Sequence, residues 1–583
     1  MSVLNEVIEG VKSFNLEVED QVVKARSDSE LGNHWLERWL EIKSNVPLVK
    51  TPTGIELPRL PLPELDEAGA IARYLCGEGL PGEFPFLSSA YAEMYLDPEN
   101  GATPQEEPTR LFAGLGTAED TNQRFHLLTK NQQSSRLSTA FDGPTLYGMD
   151  SDEPGVFGKI GEGGVAVDTV EDMERLFDGF DLSDPATSVS MTINGCAPAI
   201  MAMFIAAAKR RFGDEVVSKL RGTVQADILK EIQGQNEVLF PVEASMRFLL
   251  DMIEYSVEKM PKWYPVSISG YHISQAGATP VQQAAYTLSN GFAYAEMLRD
   301  RGMSVDEFLP RFSFFFDCGV DVEFMALSRI CRKIWAIGVR DVFEGEERAQ
   351  RLKMHTQTSG RSLVAAEFKN NLTRTAAEMI MAYMNATTSC HSNSADEPFT
   401  TPSEEYVRLA SHGQSILLEE TGLFRHMMNG MSGSPGMKAV EIAVEVAILK
   451  EFAAIDQLGG ALGAMEHRYQ RSQIQQSSSR YEQQIFDGER RIIGLNRYAA
   501  DGVQVVPGVV RVPDHQKQQQ VNRLKEFKEK HSAVSAEALG LLTQVVKNGG
   551  NVFAQLVETV EVCSLGQITE HLQREVGKFR PMM

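Results

Sequence analysis

This chain of 583 residues contains few cysteines. It also lacks both a long apolar run and a cluster of zinc-ligating residues. Its six cysteines are widely spaced and include no CxxC pair, which predicts reduced thiols in a cytoplasmic protein rather than a disulfide framework. The longest apolar run, residues 197–208, contains a proline and is too short to span a membrane. The amino terminus lacks the apolar core of a signal peptide, so we expect neither secretion nor membrane insertion.

Positive charge is also in deficit. Lysine and arginine together number 56 against 79 aspartates and glutamates, which gives a formal net charge of −23 at pH 7. This balance argues against a nucleic-acid partner, although it leaves room for a local basic pocket that binds a phosphorylated ligand. No histidines and cysteines have the spacing of a zinc site, so we predict no metal ligands. The absence of a Gly-x-Ser-x-Gly motif excludes the common serine hydrolases.

Eight short apolar runs dominate what is present. Each ends in polar residues and precedes a helical pattern, and this alternation predicts an α/β fold, a (β/α)8 TIM barrel. The predicted strands are residues 136–140, 164–168, 188–192, 222–225, 266–272, 311–316, 352–357 and 387–391. In such barrels chemistry occurs where the strands end. The polar residues that we expect at those ends are Ser190, Gln225, His272, Arg311, Gln357 and His391.

Three regions follow from the same pattern. Residues 105–455 are the predicted barrel, and residues 456–583 are a predicted C-terminal helical extension rich in glutamine. Residues 1–104 form an N-terminal extension in which a charged helical part precedes a proline-rich stretch at 46–64. That stretch must be extended, because proline cannot continue a helix, and we expect it to wrap over another part of the molecule.

Seven strings in chain order resemble adenosylcobalamin-dependent acyl-CoA mutases. They are residues 112–122, 137–142, 188–195, 222–231, 267–272, 310–315 and 357–360. The resemblance extends over about residues 65–583 and is closest to the mutase part of isobutyryl-CoA mutases. It implies a barrel that admits an acyl-CoA substrate along its axis, with adenosylcobalamin as cofactor.

The resemblance assigns catalytic roles to His272, Tyr271 and Gln225. The histidine matches a residue that donates a hydrogen bond to the thioester carbonyl and stabilises charge developing on its oxygen. The tyrosine matches the residue that separates adenosine from the corrin ring. Gln225 matches a glutamine that contacts the substrate.

Three further positions bear on substrate choice. Methylmalonyl-CoA mutases have arginine where this chain has Gln235, and tyrosine where it has Phe112. In those enzymes the arginine and the tyrosine bind the free carboxylate of the substrate. A buried carboxylate without such partners costs several kcal/mol, so the pair indicates a monocarboxylic substrate of the isobutyryl-CoA type. Ala140 stands where 2-hydroxyisobutyryl-CoA mutases have aspartate, which argues against a hydroxylated substrate.

The resemblance also implies two sets of binding residues. The predicted coenzyme A contacts are Ser138, Ser190, Thr192, Thr223, Arg311 and Ser313. The predicted adenosyl contacts are Gln275, Asn393 and Glu397. Departures from the family pattern occur at Gln275, where glutamate is usual, at Cys390 and in the loop 426–436.

No histidine lies in the Asp-x-His-x-x-Gly context that supplies the lower cobalt ligand in this family. The resemblance therefore implies a large subunit that shares its cofactor with a separate small cobalamin-binding subunit, in a heterotetramer, with a G-protein chaperone as an open further partner. Two different roles also remain open. The chain could be a mutase for another acyl-CoA, of pivalyl, isovaleryl or succinyl type, or a non-catalytic partner of a mutase chain.

Overall fold

Eight parallel strands form the centre of the molecule. The computed structural model describes residues 2–95, 109–130, 134–424, 426–427, 432–501 and 508–580. We number the strands in chain order. They are β1 Phe112–Ala113, β2 Ser135–Ala140, β3 Thr187–Thr192, β4 Gly222–Val224, β5 Trp263–Tyr264 with Val266–Ser269, β6 Phe312–Cys318, β7 Met354–Thr358 and β8 Ser389–His391.

Each strand pairs in parallel with the next, and the ring closes on itself. The pairing order runs β1 to β5 and then from the second part of β5 to β8. Pro265 interrupts β5, but the Ser267 amide still donates to the Gln225 carbonyl at 2.9 Å. A parallel bridge joins Thr109 to Cys390, and the Arg110 amide donates to the Cys390 carbonyl at 2.9 Å. The predicted α/β fold is therefore confirmed, and its parallel strand order is the one expected of a barrel.

One predicted strand is wrong, and one strand was missed. Residues 164–168 carry only an isolated bridge, between Phe141 and Val165. This segment is apolar because it packs over the end of β2, where the Val165 amide donates to the Ala140 carbonyl at 2.9 Å. Gly164 is required there, since a Cβ would lie 2.1 Å from the Phe141 carbonyl carbon. The missing strand is β1, which is too short to leave a periodic pattern.

Two other strands have bounds that differ from the prediction, and the differences change where functional side chains lie. The run 266–272 leaves the strand after Ser269, and Tyr271 and His272 begin the short helix Tyr271–Gln275. Arg311 lies in the one-turn helix Leu309–Arg311, just before β6. It is therefore at the amino end of its strand and not at the carboxyl end as predicted.

Helices surround the ring on its outer side. In the barrel region the α- and π-helices are Ala118–Thr129, Gly143–Leu146, Val170–Leu176, Ala197–Phe212, Ile228–Lys230, Glu231–Gln235, Val242–Lys259, Tyr271–Gln275, Pro280–Asp300, Val305–Phe308, Leu327–Asp341, Glu347–Gln350, Asn371–Met384, Glu404–Ser415 and Ile416–Glu420. Short 3-10 turns are Phe157–Lys159, Asp214–Ser218, Leu309–Arg311, Val322–Met325, Gly360–Ser362 and Phe368–Asn370. The helix Ala197–Phe212 buries all of its first twelve residues, because it lies between the sheet and a further layer of helices.

The N-terminal extension consists of helices Val3–Ser27, Ser29–Asn45, Ala68–Arg73 and Tyr74–Glu78. Between them, the predicted extended stretch contains the antiparallel pair Leu48–Lys50 and Glu56–Pro58. Helix Val3–Ser27 packs on barrel helices rather than standing apart. The boundary predicted between residues 104 and 105 lies outside the described residues.

Helix Pro435–Asp456 ends at the boundary predicted between residues 455 and 456. The helices beyond it are Gly460–Glu466, Tyr469–Phe486, Asp514–Lys530, Ser535–Asn548, Val552–Thr559 and Leu565–Val576. They pack back onto the barrel through buried polar contacts. Gln520 donates to Asp168 at 2.7 Å, and the Ser564 hydroxyl donates to Asp150 at 2.6 Å. The unusual loop 426–436 lies partly outside the described residues.

Candidate active site

A cavity of about 450 Å³ lies inside the ring. All eight strands contribute to its wall, through side chains two positions apart that point inward. Inward-facing residues that line it include Phe112, Arg136, Ser188, Ser190, Thr192, Thr223, Ser267, Ser313, Phe315, His355 and Ser389. Barrels of this type usually fill their centre with bulky branched side chains. Small hydroxyl residues here leave the axis open.

The predicted coenzyme A contacts mostly reach this cavity. Ser190, Thr192, Thr223, Arg311 and Ser313 line it. Ser138 faces the same interior in register with Ser190, but it is fully buried, and within the described structure its hydroxyl has no hydrogen-bond partner. Small hydroxyls suit a channel for an amide-containing chain, because they offer hydrogen bonds without bulk.

The mouth of the cavity is strongly basic. Its described lining includes seven cationic side chains and neither aspartate nor glutamate, although the chain as a whole carries a net charge of −23. The seven are Arg110, Arg136, Arg221, Lys262, Arg311, Arg348 and Lys353. Such a cluster favours an anionic group, above all a phosphate.

Of these seven, the sequence predicted only Arg311. The sequence does contain a signal for this cluster. Arg221, Arg311 and Lys353 each come immediately before a strand, and parallel strands begin at the same end of a barrel.

Arg311 also has a structural role. Its guanidinium donates to the carbonyls of Ser256, Val257 and Met260 at 3.1 to 3.2 Å, and so closes the end of helix Val242–Lys259.

Aromatic residues line the far part of the cavity. The Phe112 ring centroid lies 6.3 Å from Phe315, 5.7 Å from His355 and 5.0 Å from His391. Gln225 is buried beside them, and its side-chain oxygen accepts from Asn194 at 3.1 Å. Ala140 pairs in register with Thr192 and is not among the described cavity-lining residues. The far part is thus largely apolar and offers an amide to a ligand.

His272 and Tyr271 contact the Phe315 ring and are not among the described residues that line the cavity. Tyr271 stacks on that ring with centroids 4.9 Å apart and planes 3° apart, and the His272 ring meets it edge-on at 5.8 Å. The Nδ1 atom of His272 lies 2.7 Å from the Ser269 hydroxyl. Burial, and then the charge of Lys230, hold the pKa of His272 well below 6.5. The imidazole is therefore neutral at physiological pH, and burial keeps Tyr271 neutral by raising its pKa.

Gln235 belongs to a buried charged cluster. It accepts from Lys230 and donates to Glu237 at 2.7 Å, and Lys230 pairs with Glu231 at 2.5 Å. Burial and the neighbouring Glu231 raise the pKa of Glu237 to about 7. Gln235 is not among the described residues that line the cavity, so any influence on substrate choice acts through this cluster.

Amide side chains gather at the carboxyl ends of β7 and β8. Gln357 donates to the Tyr271 hydroxyl at 3.0 Å and to Asn393 at 2.8 Å, and Gln275 donates to Asp317 at 2.9 Å. Glu397 accepts from the Ser394 amide at 2.7 Å, and its burial raises its pKa to about 7. The predicted adenosyl contacts therefore share the end of the barrel opposite the basic mouth.

The space beside these amides is kept open by a glycine. A Cβ on Gly360 would lie 2.8 Å from the Gln275 side-chain oxygen and 3.2 Å from the Tyr271 hydroxyl. Neutral amides, a phenol and a carboxyl that accepts hydrogen bonds suit a nucleoside, whose ribose and base offer donors and acceptors. These residues thus fit the adenosyl group that the resemblance implies.

Within the described ranges, no three histidine, cysteine, aspartate or glutamate side chains are grouped as a metal site. Over the same residues, every helix is too short or too polar to cross a membrane. The structure thus combines a parallel ring with an axial cavity whose described lining is basic at one end.

Comparisons with known proteins agree with this geometry. A sequence model described as methylmalonyl-CoA mutase matches residues 50–578. The fused isobutyryl-CoA mutase of Geobacillus kaustophilus (strain HTA426) is 42% identical over 562 residues, which cover 92% of this chain and 51% of that protein. The 2-hydroxyisobutanoyl-CoA mutase large subunit of Aquincola tertiaricarbonis is 34% identical over 507 residues, covering 86% of this chain and 88% of that one.

The chain belongs to the methylmalonyl-CoA mutase family. Mouse mitochondrial methylmalonyl-CoA mutase is also similar, at 34% identity over 508 residues that cover 86% of this chain and 66% of that enzyme. The chain spans about half the length of the fused isobutyryl-CoA mutases that it matches.

Filling the axis should strongly weaken the binding of an acyl-CoA without unfolding the barrel. In Ser190→Leu, a branched side chain would occupy the channel as in ordinary barrels, so we expect affinity for isobutyryl-CoA to fall at least a hundredfold. Isothermal titration calorimetry measures the affinity, and circular dichroism checks the fold. Ser532→Leu, on an exposed turn, is the matched control and should bind normally. Unchanged affinity in Ser190→Leu would place the ligand elsewhere.

Proposed function

We propose that this chain is the catalytic barrel of a coenzyme B12-dependent acyl-CoA mutase, an isomerase that rearranges a branched monocarboxylic acyl-CoA. The main support for the proposal is the axial cavity. Its lining, over the residues that the structure describes, contains seven arginines and lysines and no aspartate or glutamate. A coenzyme A thioester has this polarity, with phosphates at one end, an amide-containing arm and a small acyl group at the other.

The ligand's orientation follows from charge and size. The phosphates lie at the basic mouth, where arginine offers charge-assisted hydrogen bonds. The pantetheine amides lie against the hydroxyls of residues such as Ser190 and Ser313. The thioester then lies in the far part, near Gln225 and Phe112.

The residues around the thioester position it and exclude water. If the Ser269 hydroxyl donates to Nδ1 of His272, the imidazole proton is on Nε2, which can then donate to the thioester carbonyl. A neutral donor stabilises charge on that oxygen without transferring its proton. Adenosylcobalamin, when bound, would supply the radical chemistry. Tyr271, Gln357 and Asn393 would hold its adenosyl group.

The proposed substrate is isobutyryl-CoA, converted to n-butyryl-CoA, or a close relative. Phe112 lines the cavity with a ring that cannot donate a hydrogen bond. Gln235 is neutral and hydrogen-bonded to Glu237, and Glu231 adds a second carboxyl nearby. A substrate with a free carboxylate would have to bury that charge beside the Phe112 ring, which offers it no hydrogen bond, and Gln235 adds no positive charge to the neighbouring cluster.

We further propose a separate small cobalamin-binding subunit in a cytoplasmic heterotetramer. The support is the similarity to a relative named as a large subunit, of which this chain covers 88%. The fused relatives represent the opposite arrangement, in which the same polypeptide carries further domains.

A non-catalytic role for this chain has less support than a catalytic one. A chain that only stabilises a mutase partner would have no need of a neutral histidine behind the cavity. His272 and Gln225 are nevertheless both present and ordered by hydrogen bonds. A mutase for pivalyl-CoA or isovaleryl-CoA would use the same residues and differ in the size of the apolar end of the cavity.

Reconstitution tests the subunit arrangement. The purified chain alone should be colourless and inactive, because none of its histidines lies in the Asp-x-His-x-x-Gly context. Addition of a small protein with the Asp-x-His-x-x-Gly motif, taken from a neighbouring open reading frame, should restore the cobalamin spectrum and turnover. Tight stoichiometric binding of cobalamin by the chain alone would contradict the proposal of a separate subunit.

His272→Ala should lower kcat by about 10²–10³, the usual cost of losing one hydrogen bond to developing charge. The measurement is initial rates on the reconstituted complex, with gel filtration to show that assembly is intact. His515→Ala, exposed on helix Asp514–Lys530, is the control and should keep the wild-type rate. A fully active His272→Ala enzyme would remove this residue from the thioester site.

Competition between isobutyryl-CoA and methylmalonyl-CoA tests substrate choice. A penalty of roughly 3 kcal/mol for the extra carboxylate corresponds to at least about a hundredfold preference for isobutyryl-CoA. The double variant Gln235→Arg, Phe112→Tyr should lose turnover of isobutyryl-CoA, whereas Gln518→Arg on the surface should not. Faster turnover of methylmalonyl-CoA by the unmodified enzyme would overturn the specificity assignment.

A further inference from the structure

One strand of the barrel supports both ends of the short helix that carries Tyr271 and His272. Phe315 and Asp317 are two positions apart on β6, so their side chains share a face. Phe315 stacks on Tyr271 at the start of the helix. Asp317 contacts the other end. Helix Tyr271–Gln275 therefore rests on β6 along its whole length.

Asp317 binds two consecutive residues of that helix. One carboxylate oxygen accepts from the Ser274 hydroxyl at 2.7 Å, and the other accepts from the Gln275 amide at 2.9 Å. The Asp317 side chain is 3% exposed. The backbone amide of Asp317 donates to the side-chain oxygen of Gln283 at 2.6 Å, and this bond fixes the end of the strand.

A carboxyl in this position is costly. Burial raises the pKa of Asp317 to about 7, and buried acids are destabilising unless they are paired. Hydrogen bonds from Ser274 and Ser359, and then the charge of Arg361, lower the pKa of Asp317 in partial compensation. Arg361 itself donates to the Ser274 and Ala278 carbonyls at 3.1 and 3.0 Å. Costly buried acids of this kind concentrate at functional sites.

We infer that Asp317 is a positioning residue, which sets the orientation of Tyr271 and His272 by holding Ser274 and Gln275. The inference rests on the proposed mutase function. Asp317 is not among the described cavity-lining residues, so it acts through the helix and does not contact the acyl-CoA.

Loss of both hydrogen bonds would free the end of the helix. A shift of about 1 Å in a catalytic group can cost about 10²-fold in rate. Asp317→Ala should therefore lower kcat of the reconstituted complex by about 10- to 100-fold. The KM for isobutyryl-CoA should change by less than about threefold. Of the predicted coenzyme A contacts, Ser313 lies at the start of β6 whereas Asp317 lies near its end, and Ser190, Thr192 and Thr223 lie on other strands.

Two variants separate positioning from general damage. Asp317→Asn can keep one bond to each partner after the Gln275 amide and Ser274 hydroxyl rotate, so it should regain most of kcat. Asp251→Ala is the matched control. Asp251 is also buried, and it pairs with Arg301 at 2.8 Å on the outer helix Val242–Lys259. This variant should lower the melting temperature and leave kcat unchanged.

A second readout does not depend on turnover. In the full chain labelled with ¹⁵N-histidine, the His272 ring signals, assigned with His272→Ala, should shift in Asp317→Ala and return in Asp317→Asn. Unchanged kcat and unchanged signals in a folded Asp317→Ala protein would overturn the inference, as would a fall in kcat that Asp251→Ala reproduces. If the wild-type complex turns over no acyl-CoA, the proposed function fails, and the ring signals alone decide the role of Asp317.

Discussion

The open axis of the barrel is the constraint on which the other features depend. Serine and threonine at inward positions of β3, β4, β5 and β6 give up the apolar burial that normally stabilises the centre of such a ring. Apolar burial outside the ring compensates for this loss. Helix Ala197–Phe212, for example, is buried on every side over its first three turns. The added layers of N- and C-terminal helices cover this outer shell.

Charge is arranged around the same axis. The protein as a whole is acidic, but the mouth of its cavity is basic, so the positive electrostatic potential is concentrated there. The low-dielectric walls of the cavity focus the electric field of these cations. Toward the other end the groups become neutral, because burial removes the charge of His272 and suppresses ionisation of Tyr271. The proposed acyl-CoA would thus extend from a charged environment into one suited to reactions that must exclude water.

Much of the ring could be predicted from sequence, because buried parallel strands leave apolar runs bounded by turns. The failures have physical causes. Residues 164–168 are as apolar as a strand but pack over a strand end, and Phe112–Ala113 is too short to show any period. Motif resemblance selected Gln225 and Phe112, which reach the cavity. It could not reveal that Lys230 and Glu237 hold Gln235, or that Asp317 holds the helix of His272, since these contacts join residues brought together only by folding.

A crystal structure of the full chain with a non-hydrolysable isobutyryl-CoA thioether would show whether an acyl-CoA lies along the axis of this ring. We predict continuous ligand density from phosphates among Arg221, Arg348 and Lys353, past Ser190 and Ser313, to an acyl group beside Phe112 and Gln225. A ligand bound outside the ring, or one with its phosphates at the end of the barrel where Tyr271 and Asn393 lie, would contradict it.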